Sequence, residues 1–380
     1  MEITLEIISR YSGLKTRARE TRDYLKQLHR DTPTDSPSGR AESQLLSKAS
    51  TGLSECANYL VFHDYYTIEE RKLVKTKTCK QGLLCPFCAA RRAAKNVKAY
   101  GDKVSSLMSE RSELFPVMIT FTVKNQSDLN RVYAHMNKSL KRLMDRRRSN
   151  KCHGSHETEM KKVVGAIASR EVTYNQDSNE WHPHIHMVAL LSDYIDQKKL
   201  SEEWFDITGD SKIVSVNLIK QKTQKKPINT DQSPLTDGLL EVFKYALKFG
   251  DLPQDKLWEA YKILKGKRMV SSYGDLYGVQ VPEALTDDPY DDLPYVEMFY
   301  LYGKKSKSYE LKTCTKYDSR VDQEKDISQI IQSFDPIDQR PSIGEMAHVP
   351  IKSVVPLDVF GRVNSTRKTR VKIRRCLQSV

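Results

Sequence analysis

The sequence predicts an α+β fold whose central part is an antiparallel sheet. Four segments are apolar and rich in β-branched residues, and two segments between them have helical periodicity. The predicted strands cover 115–124, 162–174, 181–191 and 212–219, and the predicted helices cover 128–148 and 197–205. The resulting order, β-α-β-β-α-β, is typical of the split βαβ or ferredoxin-like arrangement.

The chain of 380 residues has room for regions on both sides of this part. We expect four segments: an N-terminal helix and linker (1–50), a zinc-knuckle-like cysteine region with a basic helix (51–112), the central domain (113–275) and a C-terminal extension with a basic tail (276–380). Further helices are predicted over 1–30, 89–111, 237–249 and 254–264, a strand over 295–302, and a flexible linker over 31–41.

Composition narrows the class of protein. There are 62 basic and 49 acidic residues, giving a net charge of +13, which favours a polyanionic partner such as nucleic acid. Seven cysteines are too few for a secreted disulfide framework. We find no signal peptide, no apolar run of membrane-spanning length and no Gly-rich nucleotide loop, so we expect a cytoplasmic protein without a membrane partner.

Three histidines mark the strand at 181–191. His182, His184 and His186 are spaced by two residues, so in a strand all three project from one face. Imidazoles on one face of a buried strand indicate a metal or phosphate site. The simpler interpretation, ordinary core or surface histidines, would suit one histidine better than three.

A carboxylate joins this face if the two strands at 162–174 and 181–191 form a hairpin. With Asn175 and His182 flanking the loop, antiparallel pairing puts Glu171 opposite His186. Imidazole and carboxylate together suit a divalent ion with open coordination positions. An exposed strand carboxylate is the equally weighted alternative.

A second set of polar residues lies on the predicted helix at 237–249. Glu241, Tyr245 and Lys248 are spaced i, i+4 and i+7, which places them on one face. There Tyr245 is a candidate nucleophile, Lys248 a stabiliser of developing charge and Glu241 a general base. An amphipathic helix with a half-buried tyrosine and surface ion pairs is the alternative.

Three cysteines supply thiolates at short spacing. The pattern Cys79-x5-Cys85-Pro-Phe-Cys88 is similar to a zinc knuckle and predicts structural zinc. Cys56 and His63 are candidates for the fourth ligand. A redox pair or buried thiols would explain the same residues.

Basic residues near these motifs are candidates for contacts with DNA phosphates. They are Arg91, Arg92, Lys124 and Lys244. The run at 146–148 and the basic tail at 362–375 have the same character. Solvated charged faces are the usual explanation of such runs.

The motifs, taken in order, resemble those of the HUH endonuclease superfamily, specifically the rolling-circle plasmid replication initiators with one catalytic tyrosine. The matching pieces are Cys85-Pro-Phe-Cys88 with Arg91-Arg92, Ile119-Thr-Phe-Thr-Val-Lys-Asn125, Glu171-Val-Thr-Tyr-Asn175, His182-Pro-His-Ile-His186, and Glu241-Val-Phe-Lys-Tyr245 with Lys248. The resemblance covers roughly residues 79–275, and the joint order of the motifs is more specific than any one of them.

This resemblance implies that 113–275 is a nicking-joining catalytic domain in a plasmid-encoded bacterial protein. His184 and His186 would bind Mg²⁺ or Mn²⁺, while the role of His182 stays open. Tyr245 would nick one strand at an origin hairpin, leaving a 5′-phosphotyrosine and a free 3′-OH, and Glu241 would activate water in the terminating cleavage. The implied partners are origin DNA, the host helicase and polymerase and, as one option, a second copy in a homodimer.

Two other functions fit parts of the sequence. In a histidine-triad nucleotide hydrolase, His184 would be the nucleophile, but the cysteines, the basic charge and the Tyr245 helix would be unexplained. A non-catalytic zinc-dependent DNA-binding regulator would explain the cysteines and the charge but not the histidine strand.

Overall fold

The computed structural model describes residues 2–154, 157–219, 234–244, 248–290 and 292–317. The helices are α1 (Glu2–Asp31), α2 (Pro37–Glu55), α3 (Pro86–Glu110), α4 (Leu129–His153), α5 (Gln197–Thr208), α6 (Pro234–Phe243) and α7 (Gln254–Leu264). The strands are β1 (Tyr59–Tyr65), β2 (Glu70–Lys75), β3 (Phe115–Thr122), β4 (Val163–Asn175), β5 (Glu180–Leu191), β6 (Val214–Leu218), β7 (Val270–Gly274), β8 (Tyr295–Gly303) and β9 (Ser308–Tyr317). The chain divides into two units, 82–283 and 1–81 with 284–380.

The 82–283 unit is built on a five-stranded antiparallel sheet. Its strand order is β6-β3-β5-β4-β7, and each neighbouring pair is antiparallel. Elements β3 to β6 follow the predicted β-α-β-β-α-β order, and their arrangement in the sheet is compatible with a ferredoxin-like domain. The predicted α+β class and antiparallel sheet are therefore confirmed. Strand β7, which the sequence analysis did not predict, extends this sheet along β4.

One face of this sheet is covered by α3 and α6. Val188 and Leu190 of β5 join a buried apolar cluster with Leu239 and Phe243 of α6 and with Tyr100 of α3. The rings of Tyr100 and Phe243 lie 5.4 Å apart. Because β5 side chains alternate, the even-numbered histidines lie on this same face, and α6 is anchored directly beside them.

Helices α4 and α5 contact each other beside β5 and β6. The arginine run at 146–148 lies on α4, where the middle residue is buried. Arg147 donates hydrogen bonds to the carbonyls of Val163 (3.0 and 2.7 Å) and Val164 (3.0 Å). Arg147 therefore stabilises the start of β4 through these hydrogen bonds. The sequence analysis had instead expected this residue to contact phosphates.

The register of the β4–β5 hairpin differs from the predicted one. Asn175 pairs with Glu180, so the loop holds four residues, and Glu171 lies opposite His184 instead of His186. The side chain of Asn175 accepts hydrogen bonds from the backbone of 177 and 178, and Asn179 has a φ of 54°. This tight Asx-type turn lets Glu180 join the strand. The shift is two residues, so Glu171 stays on the histidine face.

The other unit contains the four-stranded antiparallel sheet β2-β1-β8-β9 and the helices α1 and α2. Its strands β1, β2 and β9 were not predicted. The linker expected over 31–41 is shorter in the structure, because Ser36 caps α2 and Pro37 begins it. The division of the chain into four functional segments stays a prediction.

Several other boundaries differ from the predicted ones. Helix α6 begins at Pro234 and ends at Phe243, and a 3₁₀ turn at Phe249–Asp251 precedes α7. Helix α3 begins at Pro86, three residues before the predicted start. Helix α7 has the predicted bounds and is followed by Gly266 with a φ of 77°. The basic tail lies outside the described residues, and no helix among those described is long and apolar enough to cross a membrane.

Candidate active site

The two central strands of the larger sheet bring the histidines and Glu171 together. His184 and His186 project from β5, and their rings are stacked with centroids 6.0 Å apart. Glu171 projects from β4 directly opposite His184. Its Oε2 lies 3.5 Å from Nε2 of His186. The carboxylate therefore lies beside both imidazoles.

Glu171 is a buried carboxylate held by a lysine. Only 1% of the residue is exposed, and Nζ of Lys248 donates to its Oε1 at 2.5 Å. Burial acts to raise the pKa of Glu171, but the proximity of His186, the hydrogen bond from Lys248 and the charge of Lys248 bring that pKa below its ordinary value. Glu171 is therefore ionised at neutral pH, with Lys248 as its counter-charge.

Glu241 reaches the same place from α6. Its Oε1 lies 3.8 Å from Nζ of Lys248, and its other oxygen forms an ion pair with Lys244. Glu171, His186 and Glu241 each offer a ligand atom, and these three atoms lie within 4.8 Å of one another. The sequence analysis assigned Glu241 to proton transfer and did not place it among the metal ligands. His184 and His182 are not part of this closest set.

Thr120 orients His186. Strand β3 places Thr120 opposite His186, and its Oγ1 lies 3.3 Å from Nδ1 of the imidazole. With the hydroxyl accepting from Nδ1, Nε2 keeps its lone pair for a metal or for a proton. The sequence analysis missed this residue. The Thr-x-Thr alternation at 120–122 was the available signal, but its use required the β3–β5 register.

The other two histidines are less exposed to solvent than a surface imidazole. Burial lowers the pKa of His184, although the charge of Glu171 acts in the opposite direction. The lowered pKa favours the neutral imidazole of His184, which is the form that binds a metal. Nε2 of His182 is buried and makes no hydrogen bond with any described residue.

This donor set fits a divalent cation. Oε2 of Glu171 is buried and makes no hydrogen bond within the described part of the chain, so a strong acceptor is unsatisfied there. A buried carboxylate oxygen of this kind is costly unless a cation or a donor contacts it. Neutral imidazole and carboxylate together are common ligands of Mn²⁺ and other divalent ions.

Tyr245 lies outside the described residues, but its neighbours on both sides belong to the site. Lys244, which precedes it, pairs with Glu241, and Lys248 binds Glu171. The backbone N–H of Lys248 donates to the carbonyl of Lys244 at 3.3 Å. The described residues on either side of the tyrosine, Lys244 and Lys248, therefore both contact the carboxylates.

The four candidates for phosphate contacts are placed differently from one another. Arg91 is buried in α3, and Arg92 donates to the carbonyls of Pro282 and Glu283 at 2.7 and 2.8 Å. Lys124 is exposed just beyond β3. Lys244 is half-buried against Glu241. A role in DNA binding stays a prediction for all four.

The predicted zinc ligands are divided between the two units. Cys56 and Cys79 belong to the unit of 1–81 with 284–380, whereas Cys85 and Cys88 belong to the 82–283 unit. Cys85 and Cys88 are buried at the start of α3, and a zinc site that includes these thiolates stays a prediction. His63, the other candidate for the fourth ligand, instead stacks on Tyr295 with a centroid distance of 3.8 Å.

Comparisons with known proteins agree with these motifs. The model of the family described as Replication protein matches residues 70–324. A "Protein rep" of Staphylococcus aureus is 26% identical over 211 residues, which are 52% of this chain and 82% of that protein. A "Protein rep" of Streptococcus pneumoniae serotype 2 is 28% identical over 217 residues, 54% of this chain and 63% of the relative.

A third relative, "Protein rep" of Bacillus amyloliquefaciens, is 26% identical over 226 residues, 54% of this chain and 61% of the relative. The matched region is thus less than two thirds of the length of the second and third relatives. No solved structure matches the chain significantly. Because the family model covers more than half of the sequence, the chain belongs to the Replication protein family, the Rep initiators of rolling-circle plasmid replication.

Proposed function

We propose that this initiator is a DNA nicking and joining enzyme that acts on one strand of its plasmid origin. The observation that carries the proposal is the convergence of Glu171, Glu241 and Lys248 on the histidine face, close to the end of α6, which Tyr245 follows in the sequence. A nucleophile, an ammonium group and paired carboxylates are the groups that transesterification of a phosphodiester needs.

In this proposal, one set of residues binds a divalent cation and a second set holds these ligands in position. His184, His186 and Glu171 would hold it, with Glu241 near enough to contribute an oxygen. When bound, such a cation polarises the scissile phosphodiester. Thr120 fixes the ring of His186 through Nδ1, and Lys248 keeps Glu171 ionised and in position.

The covalent step is an exchange of ester bonds. The phenol oxygen of Tyr245 forms a bond to phosphorus, and the bond between phosphorus and the 3′ oxygen breaks. The phenol proton passes to Glu241, and the departing 3′ oxygen takes up a proton to become a 3′-OH. Lys248 stabilises the negative charge that develops on the phosphoryl oxygens.

The same groups would catalyse both rejoining of the strand and hydrolysis of the phosphotyrosine. A 3′-OH that attacks the phosphotyrosine rejoins the strand, while water activated by Glu241 releases it. The free 3′-OH is the group that a DNA polymerase extends. We therefore retain the origin hairpin, the host helicase and polymerase, and the homodimer as expected partners of the proposed reaction.

The test is formation of a covalent protein–DNA adduct. The protein is incubated with a labelled library of single-stranded oligonucleotides and Mn²⁺ or Mg²⁺, then denatured, and any adduct is mapped. We expect an adduct on Tyr245 that disappears with chelator and in Tyr245→Phe. Tyr194→Phe is the matched control, because Tyr194 is 72% exposed and follows the far end of β5.

Failure of this experiment would have a definite meaning. An adduct on another residue would refute the role of Tyr245. No adduct from folded, metal-loaded protein would favour the zinc-dependent DNA-binding regulator. The histidine-triad hydrolase is disfavoured by the family membership, which that function does not explain.

A further inference from the structure

The last turn of α7 and the segment that joins it to β7 carry four basic residues on the surface. Lys262, Lys265, Lys267 and Arg268 are all exposed, and together they form what we call the basic turn. No acidic residue occurs from 260 to 274. The turn is formed by Gly266, whose φ of 77° ends the helix.

Sheet pairing places the basic turn next to the candidate active site. Val270 of β7 pairs with Ser169 of β4, and the N–H of Arg170 donates to the carbonyl of Met269 at 2.9 Å. The main chain next to the basic turn, at Met269, therefore contacts β4 at Arg170, the residue that precedes Glu171. Neighbouring strands are about 5 Å apart, so the turn lies at the edge of the sheet, near the position of Glu171 along β4.

The charges of three of these residues are not neutralised locally. Among the described residues, no carboxylate lies within ion-pair distance of Lys265, Lys267 or Arg268. Lys267 donates to the amide oxygen of Asn130 at 2.9 Å and lies over the ring of Tyr133 at 5.0 Å. These partners hold the ammonium group in place without removing its charge.

In the first half of α7, by contrast, a lysine is paired with a carboxylate. There Lys256 forms an ion pair with Glu259 at 3.0 Å. Cations at a helix C-terminus also complement the helix dipole, which explains Lys262 and Lys265 in part. Lys267 and Arg268 lie beyond the helix, so the dipole does not account for them. A polyanion that passes over the turn on its way to the active site accounts for the exposed charges of Lys265, Lys267 and Arg268.

We propose that the basic turn is a phosphate-binding surface for the single DNA strand that enters the active site. This inference rests on the proposed nicking function and adds to it a surface that the catalytic groups do not form. The turn would contact backbone phosphates and would therefore contribute affinity without sequence preference.

The experiment replaces three charges and measures the salt dependence of DNA binding. Lys265→Gln, Lys267→Gln and Arg268→Gln are combined in the full chain, and the Kd for fluorescein-labelled dT30 is measured between 50 and 300 mM NaCl. If each cation contacts one phosphate, the slope of log K against log salt should fall by about 2, and the Kd at 0.1 M salt should rise about 100-fold.

Two control variants accompany the triple variant. Replacing Lys161, Lys198 and Lys199 with glutamine removes three exposed charges at the opposite end of the sheet and should leave the slope unchanged. The charge-preserving variant Lys265→Arg, Lys267→Arg, Arg268→Lys should bind like the unchanged protein. It shows whether a loss of binding comes from charge or from a disturbed fold.

The outcomes separate this surface from the proposed function. An unchanged slope in the triple glutamine variant, with adduct formation on Tyr245 intact in the unchanged protein, would overturn the surface alone. Equal losses in both triple glutamine variants would show a nonspecific effect of net charge and would also overturn it. If the unchanged protein neither binds dT30 nor forms an adduct, both proposals are overturned.

Discussion

Replacing Lys248 with methionine should destabilise the 82–283 unit at neutral pH and much less in acid. Lys248 donates to the buried carboxylate of Glu171, whose pKa is held below its ordinary value. A carboxylate whose pKa is lowered by folding contributes stability above its unfolded pKa and loses that contribution as the pH falls through the folded value. The decrease in the free energy of unfolding caused by Lys248→Met should therefore be largest at pH 7 and should become smaller below about pH 5.

The magnitude follows from the burial of the two partners. Removing one member of a fully buried ion pair costs about 3–5 kcal/mol. Here Glu171 is buried, but the Lys248 side chain is 31% exposed, so water replaces part of what is lost. We expect a cost of about 2 kcal/mol at pH 7.

The assay is urea unfolding in chelator, followed by tryptophan fluorescence. The chain has three tryptophans, Trp181, Trp204 and Trp258, and all of them lie in the 82–283 unit. The signal therefore reports that unit alone. Lys244→Met is the matched control, since its partner Glu241 is one-third exposed and the pair should be worth under about 1 kcal/mol at any pH.

Two results would refute this reasoning. If Lys248→Met and Lys244→Met lower the free energy of unfolding equally at pH 7, the hydrogen bond from Lys248 to Glu171 stabilises the unit no more than an exposed ion pair does. If the cost of Lys248→Met does not change between pH 7 and pH 4, the lysine stabilises the unit by packing and not by holding an ionised carboxylate.

Three further predictions concern other contacts. Thr120→Val should weaken Mn²⁺ binding, measured by titration calorimetry, by about 10- to 100-fold because it removes the hydroxyl on Nδ1 of His186, while Thr120→Ser should keep the affinity. Arg147→Met should cost about 3 kcal/mol in the fluorescence assay, since it removes three hydrogen bonds to carbonyls at the start of β4, and a cost under about 1 kcal/mol would contradict that role. Cys88→Ser should lower the zinc content from about one equivalent per chain, and an unchanged content would count against the predicted zinc site.

The histidine face was predictable because it depends only on the period of a strand. His184, His186 and Glu171 share a face in the predicted register and in the observed one, since the two registers differ by an even number of residues. The register itself depends on the Asx turn at Asn175, and composition alone does not show where a turn ends and a strand begins.

Contacts between distant segments were not predictable in the same way. Glu241 joins Glu171 and His186 only because α6 packs on the histidine face, and the packing is decided by Val188 and Phe243 from separate parts of the chain. Thr120 required a known β3–β5 register. Strands β1 and β2 form a sheet with β8 and β9, which lie more than 200 residues later in the chain. No local sequence pattern therefore predicts this pairing.

The discontinuous sheet of the smaller unit has a consequence during synthesis on the ribosome. Strand β1 is made early, but its partner β8 begins only at Tyr295, so β1 waits while the whole 82–283 segment is translated. At bacterial elongation rates this delay is about 10–40 s, long enough for the segment in between to fold first. The nascent chain must keep a tyrosine-rich strand edge soluble for that time, and a chain that terminates before β8 would keep that edge exposed permanently.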